Sequence, residues 1–348
     1  MLRALIVAAV LSASLAHAFE ERRSGVPADR EERRSGVPAD REERRSGVPA
    51  DREERRSGVP GDRAGQAVFR AETDLVSFGV TVTDKRGNFL TDLTTEDFEV
   101  LEDGKPQSLK YFIRGQQTEA APELHLGVMF DTSGSMASDI ATARTAAIKF
   151  LNALPEAKDI TLVDFDSEVR LAKYGQQDFP RLVERIRSRK PDGYTAMYDA
   201  LGQYVSGTDD VDGRKVLVLF SDGGDTRSRL GFTDVVTLLR GSDVTVYPVG
   251  FMQNQGTSNR NQLQLRLTRL AEESGGEAFF PLSMKEIEAA YERILTQVRS
   301  QYTLGYISTN TAQDGRWRKV EIKVRRPELK GSRIQTRKGY FAPYTPAR

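Results

Sequence analysis

The chain has no cysteine and only two histidines, His17 and His125, in 348 residues. Without cysteine there can be no disulfide, thiolate metal site, cysteine nucleophile or cysteine-linked lipid anchor. Net charge is also missing, with 51 Lys and Arg against 50 Asp and Glu. A global electrostatic footprint for nucleic acid is thereby excluded. Neither a Gly-x-Ser-x-Gly elbow nor a His-Glu-x-x-His run occurs, so two familiar routes to hydrolysis are absent. No segment after the amino terminus is apolar over the roughly 20 residues that a spanning helix needs.

What is present begins with an export signal. Arg3 precedes an apolar core, Ala4 to Leu15, and Ala16-His17-Ala18 is a small-x-small cleavage site. Its removal would leave His125 as the sole histidine and a periplasmic or secreted product. Residues 20 to 63 are four copies of Glu-Glu-Arg-Arg-Ser-Gly-Val-Pro-Ala-Asp-Arg, with Gly61 in place of alanine in the last. Each copy is neutral, carries one Val and one Pro, and buries too little to offset the entropy of ordering. The repeats read as a spacer, reaching on the order of 35–40 Å as a flexible coil.

Beyond the repeats the periodicity is two. Val76, Phe78, Val80 and Val82 alternate with small or polar residues, and Phe98–Leu101 and Leu109–Ile113 follow, separated by turns at Asp84–Gly87 and Asp103-Gly104. Three strands are too few to stand alone. The other end supplies more: Tyr302–Tyr306, Val320–Val324 and a third strand over Ser332–Phe341. Either both ends combine into one antiparallel sandwich with the middle inserted, or two small β-units flank it.

The middle, residues 123–300, alternates strands with helices. The expected strands are Leu124–Phe130, Ile160–Phe165, Val216–Phe220, Val244–Val249 and Ala278–Pro281, with Glu168–Tyr174 pairing antiparallel to the second. Helices are expected over Ile140–Leu154, Phe179–Arg187, Ala196–Val205, Phe232–Leu239, Leu263–Glu273 and Lys285–Val298. Near-continuous apolar strands indicate a mainly parallel sheet covered on both faces. The fold class is therefore α/β, doubly wound, with a flanking antiparallel β-domain. The expected divisions are a signal peptide (1–18), repeats and linker (19–64), an amino-terminal β-segment (65–115), the α/β region (123–300) and a carboxy-terminal β-segment (301–348).

In such sheets ligands bind beyond the carboxyl ends of the strands. Three loops belong to that edge: Asp131-Thr132-Ser133-Gly134-Ser135, Asp192-Gly193-Tyr194-Thr195 and Ser221-Asp222-Gly223-Gly224-Asp225. All offer hard oxygen ligands, which suit Mg²⁺ or Mn²⁺ and poorly suit zinc. The pattern resembles the von Willebrand factor A domain and its metal-ion-dependent adhesion site, an Asp-x-Ser-x-Ser run with a distant Thr and Asp. Asp131, Ser133 and Ser135 match the run, Thr195 the threonine and Asp222 the last aspartate. The flanks, with Asp97-Phe98-Glu99-Val100, Glu102-Asp103-Gly104 and Gly339-Tyr340-Phe341, look like the exported bacterial proteins called VWFA-related.

The resemblance implies that Ser133 and Ser135 hold the cation directly, Thr195 directly or through water, and Asp131 and Asp222 mainly through water. It also implies a vacant coordination position for the Asp or Glu carboxylate of a protein partner. The competing account makes Asp131, Ser133 and Thr195 helix caps. Asp225 reads as a solvated loop acid, His125 as a satisfied core residue, and Tyr194 and Met197 as packing residues. Arg227, Arg229 and Arg260 are either rim cations or ordinary surface arginines. Three functions follow: a metal-dependent protein-binding module without enzymatic activity, an envelope scaffold with a structural metal, or a metal-dependent hydrolase. A hydrolase lacks an evident general base here.

Overall fold

The computed structural model describes residues 75–115, 121–154, 156–253 and 255–345. The expected signal peptide and repeats lie outside them. In chain order the elements are β1 (Leu75–Thr83), β2 (Phe98–Glu102), β3 (Lys105–Gln107), β4 (Leu109–Arg114), β5 (Leu124–Asp131), α1 (Ile140–Asn152), β6 (Ala157–Phe165) and β7 (Val169–Gly175). They continue with α2 (Phe179–Ser188), α3 (Met197–Ser206), β8 (Arg214–Ser221), α4 (Phe232–Gly241), β9 (Val244–Gly250), α5 (Thr257–Ser274) and α6 (Met284–Ser300). Last come β10 (Tyr302–Ile307), β11 (Trp317–Val324), β12 (Arg333–Gln335) and β13 (Gly339–Phe341).

The central sheet has the order β7-β6-β5-β8-β9, parallel except for β7, which pairs antiparallel with β6. Its strands are apolar on both sides because both faces are covered. On one face Leu126, Val128 and Phe130 pack with Phe150 of α1, Leu182 of α2 and Tyr291 of α6. On the other, Met129, Leu217 and Leu219 meet Leu201 of α3, Leu239 of α4 and Leu267 of α5. Gly127 is needed in β5, since a Cβ there would lie 2.4 Å from the Tyr204 ring.

The two ends of the chain make one sandwich. One sheet runs β12-β1-β10-β4 and the other β13-β11-β2-β3. Phe78 opposes Leu304, and Glu102 opposes Val320, so each sheet mixes amino- and carboxy-terminal strands. The inward residues of both sheets, among them Phe78, Val80, Phe98, Tyr302, Leu304 and Ile322, form one core. Glu102 is buried inside it and accepts hydrogen bonds from Tyr306 Oη at 2.8 Å, Tyr340 Oη at 2.9 Å and Ser308 Oγ at 2.6 Å. Three hydroxyl donors from β10, the following loop and β13 thus meet the carboxylate of a β2 residue, where leaving it unpaired would be costly.

Three sequence expectations are corrected. Ala278–Pro281 is not a strand; its pairing is limited to one bridge, Val249 to Phe279, and Pro281 has no N–H to extend it. Ser332–Phe341 is two short strands in opposite sheets, β12 on β1 and β13 on β11. Helix α5 begins at Thr257 instead of Leu263, because its first turns are mostly exposed and polar and so carry no apolar period. Strand β3 was not legible either: it is three residues long, contains Pro106 and sits on a sheet edge, where proline is tolerated.

Arg326, just past β11, donates to Asp92 and Asp97 in the segment between β1 and β2. The Thr94 backbone N–H, with Arg326, holds the Asp97 carboxyl below its ordinary value. A depressed carboxyl contributes stability that is present above the unfolded value, about 4, and lost as pH falls through the folded one. Asp97→Asn is therefore expected to lower the urea midpoint at pH 7, with the gap to the parent closing near pH 3. An equal gap at both pH values would contradict this.

Candidate functional site

Strand β5 ends at Asp131, whose carboxylate is fully buried. Its Oδ1 accepts from the Ser133 backbone N–H at 2.9 Å, and its Oδ2 accepts from Ser221 Oγ at 2.6 Å. The Ser133 and Ser135 hydroxyls face each other at 3.1 Å. From the end of β8, Asp222 accepts from the Gly224 backbone N–H at 3.0 Å and from Gln255 Nε2 at 3.0 Å. Neither aspartate forms an ion pair with any described residue.

Backbone contacts join the three loops. Asp192 N–H donates to Thr132 O at 2.9 Å and Gly134 N–H to Gly193 O at 3.1 Å, which fastens the second loop to the first. Thr195 N–H donates to Thr226 Oγ1 at 3.0 Å, and Thr195 O accepts from the Thr226 and Arg227 N–H groups, which fastens it to the third. Gly193 sits at φ +71°, where a Cβ would lie 2.5 Å from Ser167 Oγ. That hydroxyl in turn accepts from Tyr194 N–H. A non-glycine residue here would be strained in both respects.

Electrostatically the site is short of positive charge. Burial pushes the Asp131 carboxyl up to about 7, and the charge of Asp222 adds to the effect, against the opposing hydrogen bonds from Ser133 and Ser221. Two buried carboxylates that interact and meet only neutral donors fit a cation. Among the described residues no group of three or more His, Cys, Asp or Glu side chains comes together to hold a metal. An ion here would therefore rely on hydroxyl and water oxygens, the donor set of Mg²⁺ and Mn²⁺. A cleft of about 430 Å³ opens beside it, lined in part by Ser135, Tyr194, Thr195, Asp222 and Arg266.

Residues 126–293 match the family model of the von Willebrand factor type A domain. This segment is a von Willebrand factor type A domain. Similar solved structures include a mutant of the PilB minor pilin from Streptococcus sanguinis (14% identity, 53% of this chain and 63% of that one, TM-score 0.42). The von Willebrand factor domain of the type V pili tip protein Mfa5 from Porphyromonas gingivalis is another (12% identity, 51% and 96%, TM-score 0.44). A third is a von Willebrand factor type A protein from Catenulispora acidiphila (12% identity, 80% and 76%, TM-score 0.44). The match thus spans less than two thirds of the PilB chain. No curated protein matches the sequence at a significant level.

Helix capping does not account for the hydroxyls of this type A domain. Ser133 precedes only a 3₁₀ turn, Gly134–Met136, and makes no side-chain cap bond to it; α1 starts further on, at Ile140. Helix α3 begins at Met197, not Ala196, and Thr195 does not cap it. The α3 amino terminus is satisfied instead by Asp225, whose Oδ2 accepts from Tyr198 N–H at 2.8 Å, and by Ser228, whose Oγ accepts from Asp199 N–H at 2.9 Å. Asp225 is thus a capping acid and not a solvated one.

The neighbouring residues also separate. Met197 is buried packing, but Tyr194 is 63% exposed beside the cleft, contrary to expectation. Arg260 donates to the carbonyls of Gln253 and Gln255 and braces the loop that carries Gln255. Arg227 and Arg229 line a different cleft, beside Asp199. Sequence reading placed Ser221 in the third loop without giving it a role; it accepts from Gly223 N–H at 2.9 Å while donating to Asp131. The same reading missed Gln255 and Arg266. The only available signal for Ser221 was its place at a strand end beside Asp222.

His125 lies at the opposite end of β5, with Nδ1 3.0 Å from Asp159 and Nε2 3.0 Å from Asp212 O. Six residues of strand at about 3.3 Å each put it about 20 Å from Asp131. Asp225→Ala is expected to lower stability by about 0.5–2 kcal/mol, the usual cost of a lost cap, as read by urea denaturation; an unchanged midpoint would remove its capping role.

Proposed function

We propose that the type A domain binds one divalent cation, Mg²⁺ or Mn²⁺, and uses it to hold a carboxylate of a protein partner. The observation that carries this reading is the pair of buried aspartates, Asp131 and Asp222, with no cationic partner among the described residues, next to the facing Ser133 and Ser135 hydroxyls. Ser133 and Ser135 would ligate directly, Thr195 directly or through water, and the two aspartates mainly through water. When bound, the ion supplies a site of positive charge with a coordination position open to an outside oxygen. Ser221 fixes the Asp131 carboxylate, and Gln255 fixes that of Asp222. Tyr194, exposed on the rim, offers an aromatic surface of the kind enriched at interfaces.

Binding rather than catalysis suits these residues. The aspartates are committed to the cation, and His125 is about 20 Å away with both ring nitrogens facing acceptors. No helix among the described residues is long and apolar enough to cross a membrane. Together with the signal-like amino terminus, this supports an exported interaction module. The repeats would act as its tether.

Two measurements test the reading. Isothermal titration with Mg²⁺ or Mn²⁺ is expected to show one site, lost in Asp131→Ala and weakened about 10–100-fold in Ser221→Ala, the usual effect of removing an outer-shell partner. Equal uptake by Asp131→Ala and the parent would end the metal assignment. Capture of envelope proteins on the immobilised chain is expected to need the cation, to stop with EDTA and to fall in Thr195→Ala and Tyr194→Ala. Capture that EDTA leaves intact would instead mark a scaffold with a structural ion.

A further inference from the structure

At the amino-terminal edge of the central sheet, away from Asp131 and Asp222, the sandwich and the α/β layer border a second cavity of about 210 Å³. Arg214, Lys215 and Arg337 line it, with Ser77, Thr245 and Thr303 among the neutral residues, and Asp243 is the only carboxylate in its lining. Lys215 is matched, its Nζ lying 2.7 and 2.9 Å from the two Asp243 oxygens. The two guanidiniums are not. Arg337 donates to the carbonyls of Ser242 at 2.9 Å and Ser77 at 2.8 Å, and stacks 4.6 Å over the Phe78 ring. Arg214, 8% exposed, donates through Nε to Gln301 Oε1 at 3.0 Å and through Nη2 to Val298 O at 2.6 Å. Its Nη1 is buried with no hydrogen-bond partner.

Neither guanidinium meets a carboxylate among the described residues. Three cations against one acid leave a surplus of two positive charges. The α6 carboxyl end, which Arg214 touches, offsets about half a charge through the helix dipole. Arg214 shares a sheet face with Val216, which is opposite Thr245, and its partner Gln301 lines the same cavity. Nη1 itself has no accessible surface, so Arg214 acts on the cavity through its charge. Burial pulls Arg214 down to about 10, with no carboxylate acting against it, so the charge persists at neutral pH. Buried positive charge without a counter-charge is costly to maintain.

We propose that this cavity binds a small tetrahedral oxyanion, inorganic phosphate or a phosphoryl group, between Arg214, Arg337 and Lys215. Guanidinium forks match such oxygens, and the threonine and serine hydroxyls of the lining can add donors. The cavity shares Ser77, Lys215, Asp243 and Arg337 with a wider cleft of about 610 Å³, which gives a route for the anion to enter. That cleft adds one further acid, Asp209.

The test is thermal unfolding and isothermal titration of the full chain with inorganic phosphate, against sodium chloride at equal ionic strength. Saturable stabilisation specific to phosphate is expected. Arg214→Gln should weaken it at least tenfold. Asp243→Asn removes the competing carboxylate and should tighten it several-fold, a gain that misfolding cannot imitate. Phenyl phosphate binding more tightly than phosphate would identify a phosphoryl group on a larger molecule, and the reverse order a free anion. Phosphate acting no differently from chloride, parent-like binding by Arg214→Gln, or no gain in Asp243→Asn would each overturn the proposal.

Discussion

Everything in this structure hangs on the closure of the sandwich around an insertion. β10 pairs with β1 on one side and β4 on the other. Where the chain leaves β4 and where it returns, Gly115 N–H donates to Gln301 O at 3.2 Å. Only Gln301 separates α6 from β10, and Gly79 of β1 is glycine because a Cβ would lie 2.6 Å from the Gln301 side chain. These contacts seat the sandwich on the amino-terminal edge of the central sheet, through Arg214, Ser242 and Gln301. The carboxyl edge, where Asp131, Thr195 and Asp222 meet, is left free of it.

The two edges carry opposite electrostatic imbalances. At one, buried carboxylates are held by serine, glycine and glutamine donors; at the other, buried guanidiniums are held by carbonyls and an amide oxygen. In both places neutral groups fix the geometry without cancelling the charge. Ionised groups elsewhere in the molecule are treated differently. Asp164 is equally buried but pairs with Arg170, Arg185 and Arg189, and Glu273 pairs with Arg240 and Arg269. The fold can supply counter-charges, yet at these two edges, as at Glu102 in the sandwich core, it supplies neutral groups instead.

Much of this was legible in the sequence. Alternation in Val76–Val82 marks a half-buried strand, and the shortness and β-branched content of Val216–Phe220 mark a fully buried one. The five candidate oxygen ligands were named because the loops that carry them belong to one sheet edge, two of them following strand ends and one opening α3. What escaped lacked a local signal. Pro106 hid a three-residue edge strand, and polar first turns hid the start of α5. Asp225 and Ser221 take their roles from partners in other elements, Tyr198 of α3 and Asp131 of β5. Arg214 and Arg337 carry no local signal at all, because only the packing of two layers leaves them without acids.

The insertion also dictates an order of assembly. The sandwich core contacts bridge large sequence gaps, as in the hydrogen bond from Leu93 N–H to Tyr302 Oη, 209 residues apart. The central sheet is complete once β9 and its helices are made, whereas β1, β2 and β4 must wait for the last strands. Loop-closure entropy makes such distant pairing slow. During synthesis, β1 and β4 are unpaired edges until β10 arrives, which is the state most open to wrong strand pairing. The α/β layer, by bringing Gly115 and Gln301 together, turns that long closure into a short one.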